Sequence, residues 1–276
     1  MTSLEITSEA GHPAGTEAQH PGRMPLYLIG IAFSLFQIWT AAYSPISSLV
    51  VRSVHVGFLL LMIFGMAAET SRNRSVAALF WALGAIGFVL GLYHWVFETD
   101  IMLRSGDPST TDLAVGIAVI ALVFEATRRL MGWALPILCG LALAYGLWGE
   151  HLPGPLATRG YGLDQIVEQL FMGTEGIYGT PIYVSSTYIF LFILFGTFLE
   201  RAGMIKLFTD FALGLVGHKH GGAAKVSVVS SALMGTINGS GVANVVTTGQ
   251  FTIPLMKRFG YSPVFAGAVE ATSSMG

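Results

Sequence analysis

The stretch MGTINGSGVANVVTTGQFTIP, residues 234–254, is apolar at both ends and interrupted at its centre by Asn238, Gly239, Ser240 and Gly241. These residues favour a break over a continuous helix, and a break frees backbone carbonyls and N–H groups that a helix would consume. Ser240, Asn244, Thr247 and Thr248 add side-chain oxygens at or just after it. Carbonyl, hydroxyl and amide oxygens suit a hard cation such as Na+, and the same groups suit a small polar substrate. The cation-binding candidates are therefore Asn238, Gly239, Ser240, Gly241 and Asn244; the substrate-binding candidates are Ser240, Asn244, Thr247 and Thr248. A second reading is open, because Gly-Ser-Gly also permits tight packing between membrane helices. A dinucleotide-binding fingerprint fits poorly: its third glycine position is Asn244, and no strand precedes it.

Other chemistry-bearing residues are sparse. Glu270 stands about two turns into a helix that Ser262 would cap and Pro263 begin, roughly 10 Å inside hydrocarbon. An intramembrane carboxylate there serves a site or an inter-helix contact, or else snorkels to the cytoplasmic face. His218 and His220 in GHKHGG have no carboxylate or thiolate partner in their segment, which suits a loop better than a metal site. His55 and His94 lie within apolar runs and are expected to hydrogen-bond neighbouring helices. Glu69, Glu125 and Glu200 end such runs beside arginines, as interfacial ion pairs do. Cys139, the single cysteine, lies in an apolar run and reads as packing. No P-loop and no recognisable nucleophile–base pair occurs, so neither ATP-driven work nor enzyme catalysis is indicated.

The elements that position these residues follow from composition. Of 276 residues, 53% are hydrophobic and 11% charged, with a mean hydropathy of +0.65. That is far from the roughly 25% charged of an ordinary soluble domain, and it indicates an integral membrane protein. A net charge of −2 gives no basic excess for nucleic acid. The first 22 residues are polar and lack a signal-peptide core. Six apolar runs follow, at 26–43, 53–69, 76–97, 112–126, 132–148 and 182–200. Each is near the ~20 residues a helix needs to cross the bilayer, the fourth and fifth being shortest.

Short cytoplasmic loops retain Lys and Arg. With the N-terminus inside, Arg23, Arg72, Arg74, Arg128, Arg129, Arg201, Lys206, Lys219, Lys225, Lys257 and Arg258 are cytoplasmic, leaving Arg52, Arg104 and Arg159 outside. The outer loops carry Glu98, Asp100, Asp107 and Asp112, and then Glu150, Asp164, Glu168 and Glu175. Between Ala223 and Met256 the one charge is Lys225, and a straight helix of that length would run about 50 Å. With Lys225 at one end and Lys257-Arg258 at the other, the segment enters and returns: a re-entrant helical hairpin tipped at Asn238 to Asn244. Broken helices of this kind present carbonyls to Na+ and helix N-termini to anions. The segment LDQIVEQLFMGTEGIYGTP has Leu163, Ile166, Val167, Leu170 and Phe171 on one helical face, which suits the outer membrane surface. The fold class is an all-α integral membrane protein, a polytopic helical bundle with a re-entrant hairpin.

The run from Phe198 to Gly276, FLERAGMIKLF through VEATSSMG, closely resembles the large membrane subunit of TRAP transporters, the tripartite ATP-independent periplasmic importers. Gly235, Gly239, Ser240, Ala243 and Asn244 fall on that family's hairpin motif, and Pro254 and Gly260-Tyr261 on its later Pro and Gly-Tyr. Asn238 replaces the usual Ser and Gly241 the usual Ala. The preceding region resembles the small membrane subunit, fused as in permeases paired with TAXI-type binding proteins.

The polar N-terminal residues read as a disordered cytoplasmic tail at 1–24, and the resemblance implies a four-helix scaffold at 25–130 and a large-subunit-like transport domain at 131–276, with the hairpin at about 223–256. It implies the first half of an inverted-repeat, elevator-type transporter in a bacterial-type inner membrane. It further implies Na+-coupled uptake of a small organic acid delivered by a periplasmic TAXI-type binding protein. In the family, the segment after ATSSMG continues into a second repeat, so the expectation is the N-terminal part of a permease. The alternative is a non-transporting membrane scaffold or assembly fragment.

Overall fold

A computed structural model of the chain describes residues 24–44, 46–238 and 241–275, leaving aside the side chains of Asn238, Val242 and Ala243. The expected tail lies almost wholly outside the described residues, as do Gly239 and Ser240. Every regular element described is helical. Contacts divide the chain into two compact units, the first ending at Thr187 and the second beginning at Tyr188.

The first unit contains α1 (Met24–Tyr43), α2 (Ser48–Thr70), α3 (Arg74–Gly91), α4 (Tyr93–Leu103), α5 (Thr110–Met131), α6 (Ala134–Trp148), α7 (Leu163–Val167) and α8 (Thr180–Val184). Of these, α1, α2, α3 and α5 are long and apolar enough to cross a membrane, and α5 extends past Arg128. The run expected as one span at 76–97 is instead α3 and α4, broken at Leu92. The run at 132–148 is a 15-residue helix, about 22 Å long.

α2 is the central helix, with 56% of its apolar window buried against 17% for α1 and for α3. Its Val56, Leu60 and Phe64 join Val119, Leu122 and Ala126 of α5, together with Val167, Phe171 and Tyr178, in one core. The residues that α3 buries are Gly84, Gly87 and Gly91, a stripe three and four residues apart on one face. A Cβ on Gly91 would lie 2.8 Å from both the Gly57 Cα and the Ser53 carbonyl, so the α2 and α3 backbones touch where small residues allow it. Segment 163–172 packs part of its apolar face against the protein, while Leu163 stays exposed and Ile166 and Leu170 are half-buried. Its helix widens into a π-type turn over Glu168–Met172, and Val167 and Phe171 are buried, with Gly116 of α5 open to receive them.

A helix over Thr180–Arg201 contains the unit boundary, with a π-type stretch at Ser185–Ile189 and then α9 (Phe190–Arg201). α10 (Met204–Val216), α11 (Gly222–Asn238), α12 (Gly241–Arg258) and α13 (Pro263–Ser273) complete the second unit. The packing division falls after Thr187, whereas the resemblance sets the subunit-like boundary at 130/131; the first concerns contacts and the second descent.

Candidate functional site

The second unit is organised by α11, α12 and α13. α11 and α12 are separated by Gly239-Ser240 and fold back on one another: Ser231 meets Thr248, and Gly235 leaves room for Asn244. These pairings are antiparallel, so the segment is a helical hairpin. α13 closes its open side. As the sequence indicates, Ser262 caps that helix by accepting the Phe265 N–H at 3.3 Å, and Pro263 opens it. Gly260, with φ of 88°, makes the left-handed turn between α12 and α13 that other residues resist.

This arrangement places Glu270 at the centre of the three helices, fully buried. Its Oε2 accepts from Ser227 Oγ at 2.6 Å and from Thr252 Oγ1. Its Oε1 accepts from Ser231 Oγ at 3.0 Å, from Thr248 Oγ1 and from Ser274 Oγ at 3.4 Å. Five hydroxyls, from α11, from α12 and from the residue that caps the end of α13, therefore surround one carboxylate. The cage is made of one-face pairs four residues apart: Ser227 with Ser231, Thr248 with Thr252, Glu270 with Ser274. Gly249 permits the close approach, since a Cβ there would stand 3.3 Å from the Glu270 Cγ. Among the described residues no Lys, Arg or His forms an ion pair with Glu270.

Asn244 adjoins the cage. Its Nδ2 donates to the Ser231 carbonyl at 2.9 Å, which fixes the amide's orientation and leaves the buried Oδ1 without a hydrogen-bond partner. Thr247 bonds the Asn244 carbonyl at 3.1 Å. Gly241 opens α12 against α13, where a Cβ would meet the Ser274 carbonyl at 3.0 Å. Of the residues expected from sequence, the structure thus gathers Asn244, Thr248 and Glu270 and seats Gly241 at the edge of the cage. Asn238 ends α11, its side chain outside the described residues together with Gly239 and Ser240. The arrangement is an oxygen-rich, buried centre built around one carboxyl group.

A model of the family described as Tripartite ATP-independent periplasmic transporter, DctM component, matches residues 118–276, more than half of the chain and all of this centre. The chain belongs to the DctM family. It is similar to the C4-dicarboxylate TRAP transporter large permease protein DctM of Rhodobacter capsulatus, 34% identical over 113 residues, covering 40% of this chain and 24% of that one. It is similar also to the sialic acid TRAP transporter large permease protein SiaM of Vibrio cholerae, 27% identical over 144 residues, 52% of this chain and 32% of that one. The 2,3-diketo-L-gulonate TRAP transporter large permease protein YiaN of Escherichia coli is 28% identical over 131 residues, 48% and 26%. The chain spans about a quarter to a third of the length of these relatives. No solved structure matches it.

For a DctM-family chain, a multi-pass membrane protein, a buried acid ringed by hydroxyls calls for explanation more than a cleft does. The cleft of about 1080 Å³ in the first unit is lined by Leu49, Met102 and Leu143 together with polar residues that include exposed Arg159, Gln165 and Glu175 and half-buried Glu168. Sequence reasoning missed Ser227, Ser231, Thr252 and Ser274. Their four-residue spacing was the available signal, yet a Ser or Thr inside a helix ordinarily bonds the carbonyl one turn back, as Thr252 does to Thr248 at 3.0 Å.

Proposed function

We propose that this chain is the cation-coupled permease part of a TRAP-type secondary transporter, taking up an organic acid that a periplasmic binding protein of TAXI type delivers. The observation that carries the reading is the α11–α12 hairpin clasped by α13 around Glu270 and Asn244: an interrupted helix pair beside buried oxygen ligands, in a chain whose family is a transporter component. Na+ is the coupling ion and crosses with the organic acid. Hydroxyl, amide and carboxylate oxygens fit it. The N-terminus is cytoplasmic, region 25–130 is a fused small-subunit-like scaffold, and the hairpin is re-entrant, one of two inverted repeats in an elevator-type carrier. The Ser240 hydroxyl and the carbonyls around Asn238 to Gly241 supply tip ligands.

Two experiments test this. Proteoliposomes holding the full-length protein, supplied with its binding protein, are expected to accumulate organic acid under an inward Na+ gradient; absence of uptake at normal reconstitution favours the scaffold. Single cysteines at positions 220 and 257, in a Cys139→Ala background, are expected to be labelled from the cytoplasm alone. Periplasmic labelling of either would remove the re-entrant hairpin.

A further inference from the structure

We propose that Glu270 is the fixed negative charge of a monovalent-cation site beneath the hairpin, with Asn244 Oδ1 as a neutral ligand, so that the coupling ion's charge is balanced at Glu270. This deepens the cation-coupled reading and rests on it.

Three observations converge. The first is electrostatic. A buried carboxylate without a countercharge is costly, and the five hydroxyls donating to Glu270 spread its charge without neutralising it. Charged groups on the elements packed around it all lie elsewhere. Lys206 and Asp210 of α10, Lys225 of α11, and Lys257 and Arg258 of α12 are exposed, while Glu200 and Arg201 end α9. Glu270 is the one ionisable residue of α13.

The second observation is the orphaned acceptor. Asn244 Oδ1 is buried and has no donor, and turning the amide over would set it against the Ser231 carbonyl. Asn244 and Glu270 bracket the same residue: one bonds the Ser231 carbonyl, the other its hydroxyl. An acceptor with no donor beside an acid with no cation is satisfied by one hard, positively charged guest.

The third is that the cage can change partners. Thr248 also reaches the Asn244 carbonyl at 2.7 Å, Thr252 the Thr248 carbonyl at 3.0 Å, Ser231 the Thr248 hydroxyl at 3.2 Å and Ser227 the Ser273 hydroxyl at 3.4 Å. Each hydroxyl has one hydrogen. When a cation enters, those hydrogens turn to the alternative acceptors and the oxygen lone pairs turn inward. Ser274 then carries the event to the hairpin's second arm: its hydroxyl reaches Glu270, and its carbonyl is packed on Gly241.

The test uses the purified full-length permease in detergent, at constant ionic strength with choline chloride as balance. The probes are Na+ and a hydrophobic carbodiimide that modifies buried carboxyls, with the Glu270 peptide followed by mass spectrometry. In the wild-type protein Na+ is expected to raise Tm and to slow Glu270 modification about tenfold, while K+ does neither. In Glu270→Gln the Na+ concentration for half-maximal thermal stabilisation is expected to rise at least roughly tenfold, the consequence of losing a charged ligand. If Glu270→Gln does not fold, modification of the wild type decides by itself. Undiminished Na+ stabilisation in Glu270→Gln would overturn the assignment while leaving cation coupling, judged by uptake, intact. Stabilisation by acidification with no Na+ effect would also overturn it and make Glu270 a proton site.

Discussion

Asp112 and Glu270 are both fully buried acids in an apolar protein, and they are compensated in opposite ways. Asp112 sits in the first turn of α5, where the helix dipole favours an anion. Its Oδ2 accepts the Ser109 N–H at 2.9 Å and the Ser109 hydroxyl at 2.6 Å, closing a capping box. Its Oδ1 accepts from Tyr93 at 2.6 Å and faces Arg104 at 3.5 Å. Glu125, in the same helix, is gripped by Arg128 and Arg129 at 2.7 Å each. These partners include cations, so both of these first-unit acids are spent on holding the helices in place. Glu270 draws its partners from 4 to 43 residues away, and among the described residues none of them is a cation. An acid with no countercharge among the described residues is available to a mobile one.

The hairpin offers the largest expected break in this contrast. If the tip and Asn244 ligate Na+, losing one oxygen ligand removes about 1–3 kcal/mol, or roughly 5- to 150-fold in cation affinity. Ser240→Ala and Asn244→Ala in the full-length permease are expected to raise the Na+ concentration for half-maximal uptake by that factor. Thr272→Ala, whose exposed hydroxyl bonds only the Ala268 carbonyl at 2.8 Å among the described contacts, is expected to change it little. Wild-type Na+ dependence in both tip variants would leave Gly-Ser-Gly as packing.

The first unit responds to volume. Gly91→Ala drives a methyl into the α2 backbone and is expected to cost about 1–3 kcal/mol in denaturant or thermal unfolding, with Na+ dependence unchanged. Gly267→Ala in α13, where nothing lies within 4 Å of a new Cβ, is expected to be neutral or to stabilise by roughly 0.5–1 kcal/mol. Equal costs at the two glycines would dissolve the distinction. Asp112→Asn follows at about 1 kcal/mol, the usual worth of a cap, again with cation dependence untouched. A shifted Na+ dependence in that variant would make Asp112 part of the transport site.

How much of this was legible follows from where information is local. Ser262-Pro263 and the break at Asn238–Gly241 announce themselves because a cap, a ring and a pair of glycines act on their own backbone. His55 was readable as an inter-helix donor or acceptor, and it does reach Gln37 of α1 and Ser185. The cage was not, because each of its ridges alone is an unremarked pair of hydroxyls, and its meaning appears when three ridges face one another. Segment 163–172 was legible in part. An amphipathic face states that something apolar will cover it, and α5 covers the part that Val167 and Phe171 present. The Gly84-Gly87-Gly91 stripe was present in sequence, but its partner, Gly57, lies on another helix.

The smallest expected effect concerns the proposed outer face and turns on the same accounting. Eight acids were expected there, but Asp112 is buried and Glu168 accepts the Gly106 N–H at 2.5 Å. Asp100, Asp107, Glu150, Asp164 and Glu175 are exposed and Glu98 is half-buried, so these six remain to meet a partner. Of the three outer cations, Arg104 faces Asp112 and Arg52 donates to the Tyr178 carbonyl at 2.7 Å, which leaves the face acidic. A binding protein with a basic rim would be steered to it over a Debye length of about 10 Å at 0.1 M salt. Raising ionic strength with choline chloride, so that Na+ stays fixed, is expected to slow association more than it speeds release. Asp107→Asn and Glu175→Gln are each expected to cost about 0.2–1 kcal/mol at low salt and to flatten the salt dependence. Asp112→Asn should leave that dependence unaltered, since its charge is already spoken for inside the unit. Binding that ignores salt, or that Asp112→Asn weakens as much as Asp107→Asn does, would show that the face is not recognised by its free charge.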